Sequence, residues 1–256
     1  MTHNCILRKF EKPELCSSMN PIYVGLHGHS GKGGRIGNAN APEEYRYGLL
    51  HDSPVAESQP DIYEVLDRYV KSFDKMFDDN KEGLEGTARQ VKSLYLYSRA
   101  AGTGKTTTSV ALMNEYMIRN YLGHIARGKS APRRPVYFLD VNKWQTLYNA
   151  FNRPRVPEDK AEKAATEYYE MMDFAMDTEF VVLDDIGVRD STEGFRGDLH
   201  TIINERVANQ RPTIYTSNIT INELDDVFGE ERLSDRVRDL TQIIEFKGKS
   251  KRGRRT

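Results

Sequence analysis

Between Leu94 and Thr108 the chain reads LYLYSRAAGTGKTTT, and no other stretch constrains the fold as tightly. Leu94, Tyr95, Leu96 and Tyr97 form an apolar, β-prone run. A loop of small residues follows and ends in Gly104-Lys105-Thr106, and Val110, Ala111 and Leu112 open a helix-like segment. A strand that runs through a glycine-rich loop into a helix is built to wrap phosphates. The loop N–H groups point inward, and the helix N-terminus adds partial positive charge. In such a loop Lys105 reaches the β- and γ-phosphates, and the Thr106 hydroxyl ligates Mg²⁺. Gly102 and Gly104 can take the positive φ the loop needs. The full pattern, G-x-x-x-x-G-K-[ST], asks for glycine five residues before Gly104, where this chain has Arg99. A second glycine cluster, His29-Ser30-Gly31-Lys32-Gly33-Gly34, has no Ser or Thr after its lysine and no apolar helix after its loop. It reads as a flexible connection.

A chain of 256 residues suffices for one large α/β domain with a small appendage. With 37 basic and 38 acidic residues, a net charge of −1, overall charge says nothing of a nucleic-acid partner. Its distribution does, because the ten residues from Lys247 onward, KGKSKRGRRT, hold six Lys or Arg and no acid. Such a tail is either a solvated end or a phosphate-backbone contact. Two cysteines argue against a disulfide-built secreted protein. No apolar leader and no apolar run near 18 residues is present, so the expected location is cytoplasmic with no membrane span.

Along the chain, residues 1–60 are rich in Gly and Pro and read as an irregular N-terminal region. In residues 61–77, Ile62, Val65, Leu66, Tyr69, Val70, Phe73, Met76 and Phe77 recur at three-four spacing, which predicts one amphipathic helix with Asp61 at its cap. Residues 78–90 read as a linker. Further helices are expected over 107–121, ending near Gly123, and over 142–151, 161–176, 197–207, 221–227 and 230–239. Short apolar strands are expected at 136–141, 180–183, 213–216 and 243–246. Alternation of this kind predicts a three-layer α/β fold on a parallel sheet, occupying residues 61–252. The basic tail covers 247–256.

The phosphate loop is half a site. Phe180-Val-Val-Leu-Asp-Asp185 supplies the other half, since an apolar strand ending in acids places carboxylates at the carboxyl edge of the sheet, where ligands bind in open α/β folds. Asp184 suits the Mg²⁺-holding role, and Asp185, where many ATPases carry Glu, suits orienting the attacking water. A third strand end, Ile214-Tyr-Thr-Ser-Asn218, offers Asn218 to the γ-phosphate or the water. In Glu231-Arg-Leu-Ser-Asp-Arg236-Val-Arg238, an arginine supplied across a subunit boundary would stabilise transition-state charge. A surface arginine on a helix is the plain alternative.

Taken together, GTGKTTT, VVLDDIG, TIYTSN and ERLSDRVRD resemble, in order and spacing, the AAA+ ATPases of the DnaC type. These are the replicative-helicase loaders, close to DnaA initiators and IstB-like transposition helpers. Ala41-Pro-Glu-Glu-Tyr-Arg46 resembles the short motif that enters this family's ATPase domain. The resemblance spans about residues 40–252. It implies a P-loop NTPase fold with ATP and Mg²⁺ as cofactors. Gly102, Thr103, Gly104, Lys105, Thr106 and Thr107 would bind the phosphates, and Thr106 and Asp184 the metal. Asp184 and Asp185 would take the Walker-B roles, Asn218 the sensor 1 role and Arg236 the arginine-finger role, with Arg238 a second arginine or the finger itself. It further implies a homo-oligomer that binds single-stranded DNA and engages a hexameric helicase. The compact size resembles phage-encoded loaders. Basic stretches such as 127–134 are the expected DNA contacts. An IstB-like transposition helper and a nucleotide-gated adaptor with little hydrolysis are the rival readings.

Cys5, Cys16, His27 and His29 are zinc-ligand residue types in a glycine-rich segment. Ten residues separate each ligand pair from Cys5 to His27 and no C-x₂-C pair exists, so the expectation is a free, unliganded set, with zinc as the alternative. In loaders of this family the N-terminal region grips the helicase, which makes residues 61–77 and the segment before them candidate partner surfaces. The alternative is that this helix packs on the ATPase domain.

Overall fold

The computed structural model describes residues 5–77, 91–187, 191–225, 231–248 and 250. The expected linker 78–90 and most of the basic tail lie outside them. The chain divides into two compact units, residues 1–91, 102–138 and 246–256 in the first and residues 92–101 and 139–245 in the second.

The first unit is helical. It runs through α1 (Ile6–Lys9), a 3₁₀ turn (Pro13–Leu15), α2 (Pro21–His27), α3 (Gly34–Asn38), α4 (Pro60–Lys71), a second 3₁₀ turn (Ser72–Phe77) and α5 (Lys105–Ala126). The N-terminal segment expected to be irregular thus holds three short helices. Its Pro and Gly residues mark helix ends. Pro21 opens α2 behind an Asn20 cap whose side chain accepts from the Ile22 N–H at 2.9 Å, and Gly28, at φ 71°, closes it. The unit is organised around α5, which buries Val110, Leu112, Met113, Tyr116, Met117 and Ile118 together with the polar Asn114, Glu115 and Asn120. It continues through Gly123, where the sequence predicted a stop. A glycine inside a helix costs only about 1 kcal/mol, less than the burial of Ile118 and Tyr121 in the turns before it contributes.

α4 is helical for the reasons expected. Pro60 stands at its first turn and its basic residues at its last, and Tyr63, Leu66 and Val70 form one buried stripe. It ends at Lys71 in a 3₁₀ turn, not at 77. Its apolar face lies on α5, where Phe73 meets the Tyr116 ring edge-on at 5.4 Å. This is the packing that the plain alternative foresaw.

The zinc alternative and the free-thiol expectation are both corrected. Cys5 and Cys16 form a disulfide, so each thiol is consumed by the other. His27 is buried and stacks on Tyr23 at 4.4 Å, and burial lowers its pKa to about 4. His29 is exposed. Among the described residues, no group of three or more His, Cys, Asp and Glu is placed to hold a metal.

The second unit carries the sheet. Its strands are β1 (Ser93–Tyr97), β2 (Val136–Asp140, whose first residues lie in the first unit), β3 (Phe180–Ile186), β4 (Thr213–Ser217) and β5 (Thr241–Glu245), in the order β2-β3-β4-β1-β5. β1 pairs in parallel with both β4 and β5, and β3 with β4. β1, β3 and β4 are buried apolar runs, as strands covered on both faces require. The helices are α6 (Val141–Asn152), α7 (Glu158–Asp177), α8 (Glu193–Ala208) and α9 (Glu231–Leu240), with a 3₁₀ turn (Ile221–Glu223) after β4. The α/β parallel-sheet expectation is met. α6, α7 and α8 are joined by an aromatic cluster in which Trp144 stacks on Tyr168 at 4.6 Å and meets Phe195 at 4.9 Å.

At the amino end of β3 and β4 the guanidinium of Arg206 is fully buried. It donates to the carbonyls of Ala175, Thr178, Glu179 and Pro212 and to the Thr213 hydroxyl, at 2.7–3.1 Å. No helix among the described residues is long and apolar enough to cross a membrane.

Candidate nucleotide-binding site

In the first unit, residues 102–107 form the head of α5. Gly102 (φ 72°) and Gly104 (φ 101°) take the left-handed conformations the sequence predicted. Gly104 precedes the first helical residue, Lys105, and its carbonyl receives the Thr108 N–H at 2.9 Å. Space is limiting at Gly104 as well as φ. A Cβ there would stand 2.5 Å and 2.6 Å from the two methyl groups of Val55. A hydroxyl chain ties the same segment to α5, from Ser53 to Tyr63 at 2.6 Å and from Tyr63 to Thr108 at 2.9 Å. Burial pushes the Tyr63 phenol up, against these two hydrogen bonds.

Lys105 is buried, as is the Thr103 hydroxyl, which has no hydrogen-bond partner among the described residues. Thr106 and Thr107 are half-buried on the first turn. Two left-handed glycines, a position closed to any side chain, an orphaned hydroxyl and a lysine at a helix N-terminus fit a loop shaped around phosphates.

In the second unit, the carboxyl ends of three adjacent strands line up. β1 and β4 are in register from Leu94↔Ile214 to Tyr97↔Ser217, and the Ser98 N–H continues the pairing onto the Ser217 carbonyl at 3.2 Å. β3 pairs with β4 at Leu183↔Tyr215 and again at Ile186↔Ser217, so one extra residue is accommodated between them. That bulge holds Asp184 and Asp185. Asp184 is buried. Asp185 is half-buried with φ 60°, a left-handed conformation that Asp tolerates better than most residues.

The hydroxyl of Thr216, fully buried on β4, donates to Asp184 Oδ1 at 2.7 Å and accepts from the Asp185 N–H at 2.9 Å. Its neighbour Ser217 donates to the Ile186 carbonyl at 2.6 Å and accepts from the Ile219 N–H at 3.2 Å. Asn218 follows directly. The structure therefore brings Asp184, Asp185 and Asn218 to one edge. Thr216 and Ser217 are residues that sequence reasoning missed, although their hydroxyls stand in the TIYTSN motif. Val55 was missed with no signal at all.

Arg99, the departure from the loop pattern, does not take positive φ. No glycine is needed there. Its guanidinium lies 3.7 Å from Glu223 Oε1 in an exposed pair. Glu223 also closes a capping box with Thr220, accepting from its N–H at 2.6 Å and its hydroxyl at 2.7 Å. These bonds, with a smaller contribution from Arg99, hold its carboxyl below the usual range.

Arg236 and Arg238 lie on α9, away from the acids' hydrogen bonds. Arg236 is exposed and donates to Asn204 of α8 at 2.8 Å. Arg238 pairs with Asp235 and lies 3.9 Å from Asp225. In the basic stretch 127–134, Arg127, Lys129 and Arg133 are exposed, whereas Arg134 donates to the Asn38 carbonyl.

Residues 153–256 match the family model of the IstB-like ATP binding protein. The fold is similar to that of DnaI, with a TM-score of 0.52 and 21% identity, covering 83% of this chain and 95% of that one. It is similar to the DnaC helicase loader, with a TM-score of 0.53 and 17% identity over 80% of this chain and 100% of that one. It is also similar to AMPPCP-bound DnaA from Aquifex aeolicus, with a TM-score of 0.50 and 18% identity over 81% of this chain but only 51% of that one. No curated protein matches by sequence. The fold is thus that of DnaC, DnaI and DnaA, as the resemblance carried by the motifs implied.

Proposed function

We propose that this chain is an ATP-dependent loader of a hexameric replicative DNA helicase, acting as a homo-oligomer on single-stranded DNA. The observation that carries the reading is the alignment of three strand ends at one sheet edge. β1 leads into the phosphate loop, β3 ends in Asp184-Asp185 and β4 ends in Asn218. Likeness in fold to the solved chain of the DnaC helicase loader, all of which is covered, supports the choice of partner.

Bound Mg·ATP supplies the electrophilic phosphorus and a metal charge on its oxygens. Lys105 and the N–H groups of 102–107 neutralise the phosphates, and Thr106 and Asp184 offer the hard oxygen ligands Mg²⁺ prefers. Asp185 orients the attacking water and takes its proton, and Asn218 hydrogen-bonds the water or the γ-phosphate. Arg236, exposed on α9, exchanges its bond to Asn204 for the γ-phosphate of a neighbouring subunit, with Arg238 beside it. Catalysis by such a site is positioning and electrostatics. The exposed Arg127, Lys129 and Arg133 and the basic tail supply salt-sensitive contacts to DNA phosphates.

The family match over residues 153–256 favours one second reading, a transposition helper with the same chemistry and a transposase partner. The test is co-purification of the full chain with helicase or transposase in ATP, together with steady-state phosphate release. ATP-dependent retention of the helicase is expected, with release lost about 100-fold or more in Lys105→Ala. Retention of the transposase instead would select the second reading. ATP binding without release would select a nucleotide-gated adaptor.

A further inference from the structure

We infer that Thr216 is a positioning residue for ATP hydrolysis, whose single hydroxyl sets both carboxylates of the Asp184-Asp185 pair. The inference rests on the ATPase reading above. A hydroxyl has one proton and two lone pairs. Thr216 uses the proton on Asp184 Oδ1 at 2.7 Å and a lone pair on the Asp185 N–H at 2.9 Å. The two bonds act on different things. The first fixes the rotation of the Asp184 carboxylate, and so the direction from which its other oxygen meets a metal. The second fixes the backbone of Asp185, which stands at φ 60°. A left-handed conformation at a residue other than glycine persists only where its surroundings hold it. The bulge itself leaves the extra residue without ladder partners. The Thr216 hydroxyl supplies an acceptor where the ladder does not.

Residue type and rigidity agree with this role. Thr216 is fully buried within a strand paired on both sides, and its χ1 is restricted by β-branching. Its position two residues before Asn218 then acquires a meaning. One strand end places the water-sensing amide and, from its neighbour, orders the acids that use the same water. Valine at 216 would have the same shape and neither bond.

The test compares Thr216→Val and Thr216→Ser in the full chain for turnover, for ATP affinity with Mg²⁺ and in EDTA, and for melting temperature. Losing a hydrogen bond to a charged group corresponds to about 10- to 100-fold, so Thr216→Val should lose that factor in kcat with KM within about twofold. Any weakening of ATP affinity should stay within that twofold and appear only with Mg²⁺, the affinity in EDTA staying at the wild-type value. Thr216→Ser, which keeps the hydroxyl, should restore both. If Thr216→Val turns over like the wild type, the proposal falls and the ATPase reading stands. If the wild type binds no ATP, both fall. If valine prevents folding, the serine variant decides: a folded Thr216→Ser chain with tenfold lower kcat overturns the proposal, and wild-type kcat supports it.

Discussion

The two ends of the same strands bury polar groups in opposite ways. At the amino end, Arg206 places a full positive charge where no water reaches and spends its donors on four carbonyls and one hydroxyl. None of the five residues it bonds takes a left-handed conformation. At the carboxyl end, Asp184 and Asp185 sit on a bulge, one of them at φ 60°, and are held by a neighbouring threonine. The first arrangement minimises energy locally, since each buried acceptor has found a donor. The second keeps strain and concentrates negative charge, which is costly unless something else uses it. Buried charge alone therefore marks no site. Buried charge on strained backbone at the carboxyl edge of a parallel sheet does.

Three substitutions sharpen or break this contrast. The largest effect is expected at the carboxyl end. Asp185→Asn keeps a residue that accepts left-handed backbone, so phosphate release should fall about 100-fold or more while the melting temperature holds or rises. A turnover within threefold of wild type would remove Asp185 from the chemistry. Next is the amino end. Arg206→Met keeps volume and removes the Arg206 donor from five acceptors, of which the Pro212 carbonyl keeps the Val181 N–H, so denaturant unfolding should show a loss of at least about 3 kcal/mol. Turnover per folded molecule should be unchanged, and a specific kinetic defect would contradict a purely structural role for Arg206. The smallest effect is expected at Arg99→Gly, which completes the loop pattern. Only an exposed ion pair is lost, so stability should move by no more than about 0.5 kcal/mol, as read from denaturant melts. A change in ATP affinity beyond about threefold would show that Arg99 shapes the loop.

Much of this was legible in the sequence because it depends on local pattern. The strands at 94–97, 180–183 and 213–216 are short β-prone runs, and the phosphate loop, Asp184 and Ser217-Asn218 follow them in turn. What escaped depends on the third dimension. Nothing near Val55 in sequence says that its methyls close on Gly104, 49 residues on (104 − 55). The hydroxyl of Thr216 gains its role only when a bulge brings two acids opposite it. The Gly and Pro residues of the first 60 positions read as breakers. Pro13, Pro21, Gly28 and Gly33 in fact stand at helix ends, and helices of four to seven residues leave hardly any periodic signal to detect between them. The Cys5–Cys16 pairing followed from folding of that same segment, not from spacing.

Val55 and Ser53 also determine where this protein can be cut. The pattern-based boundary at residue 61 would leave every phosphate-loop residue in the fragment. It would remove the methyl groups packed against Gly104 and the first hydroxyl of the Ser53–Tyr63–Thr108 chain. A minimal fragment must start upstream of Ser53. Equally, whatever pulls on the segment that carries Ser53 and Val55 pulls on Gly104 through the valine methyls and on Thr108 through the hydroxyl chain.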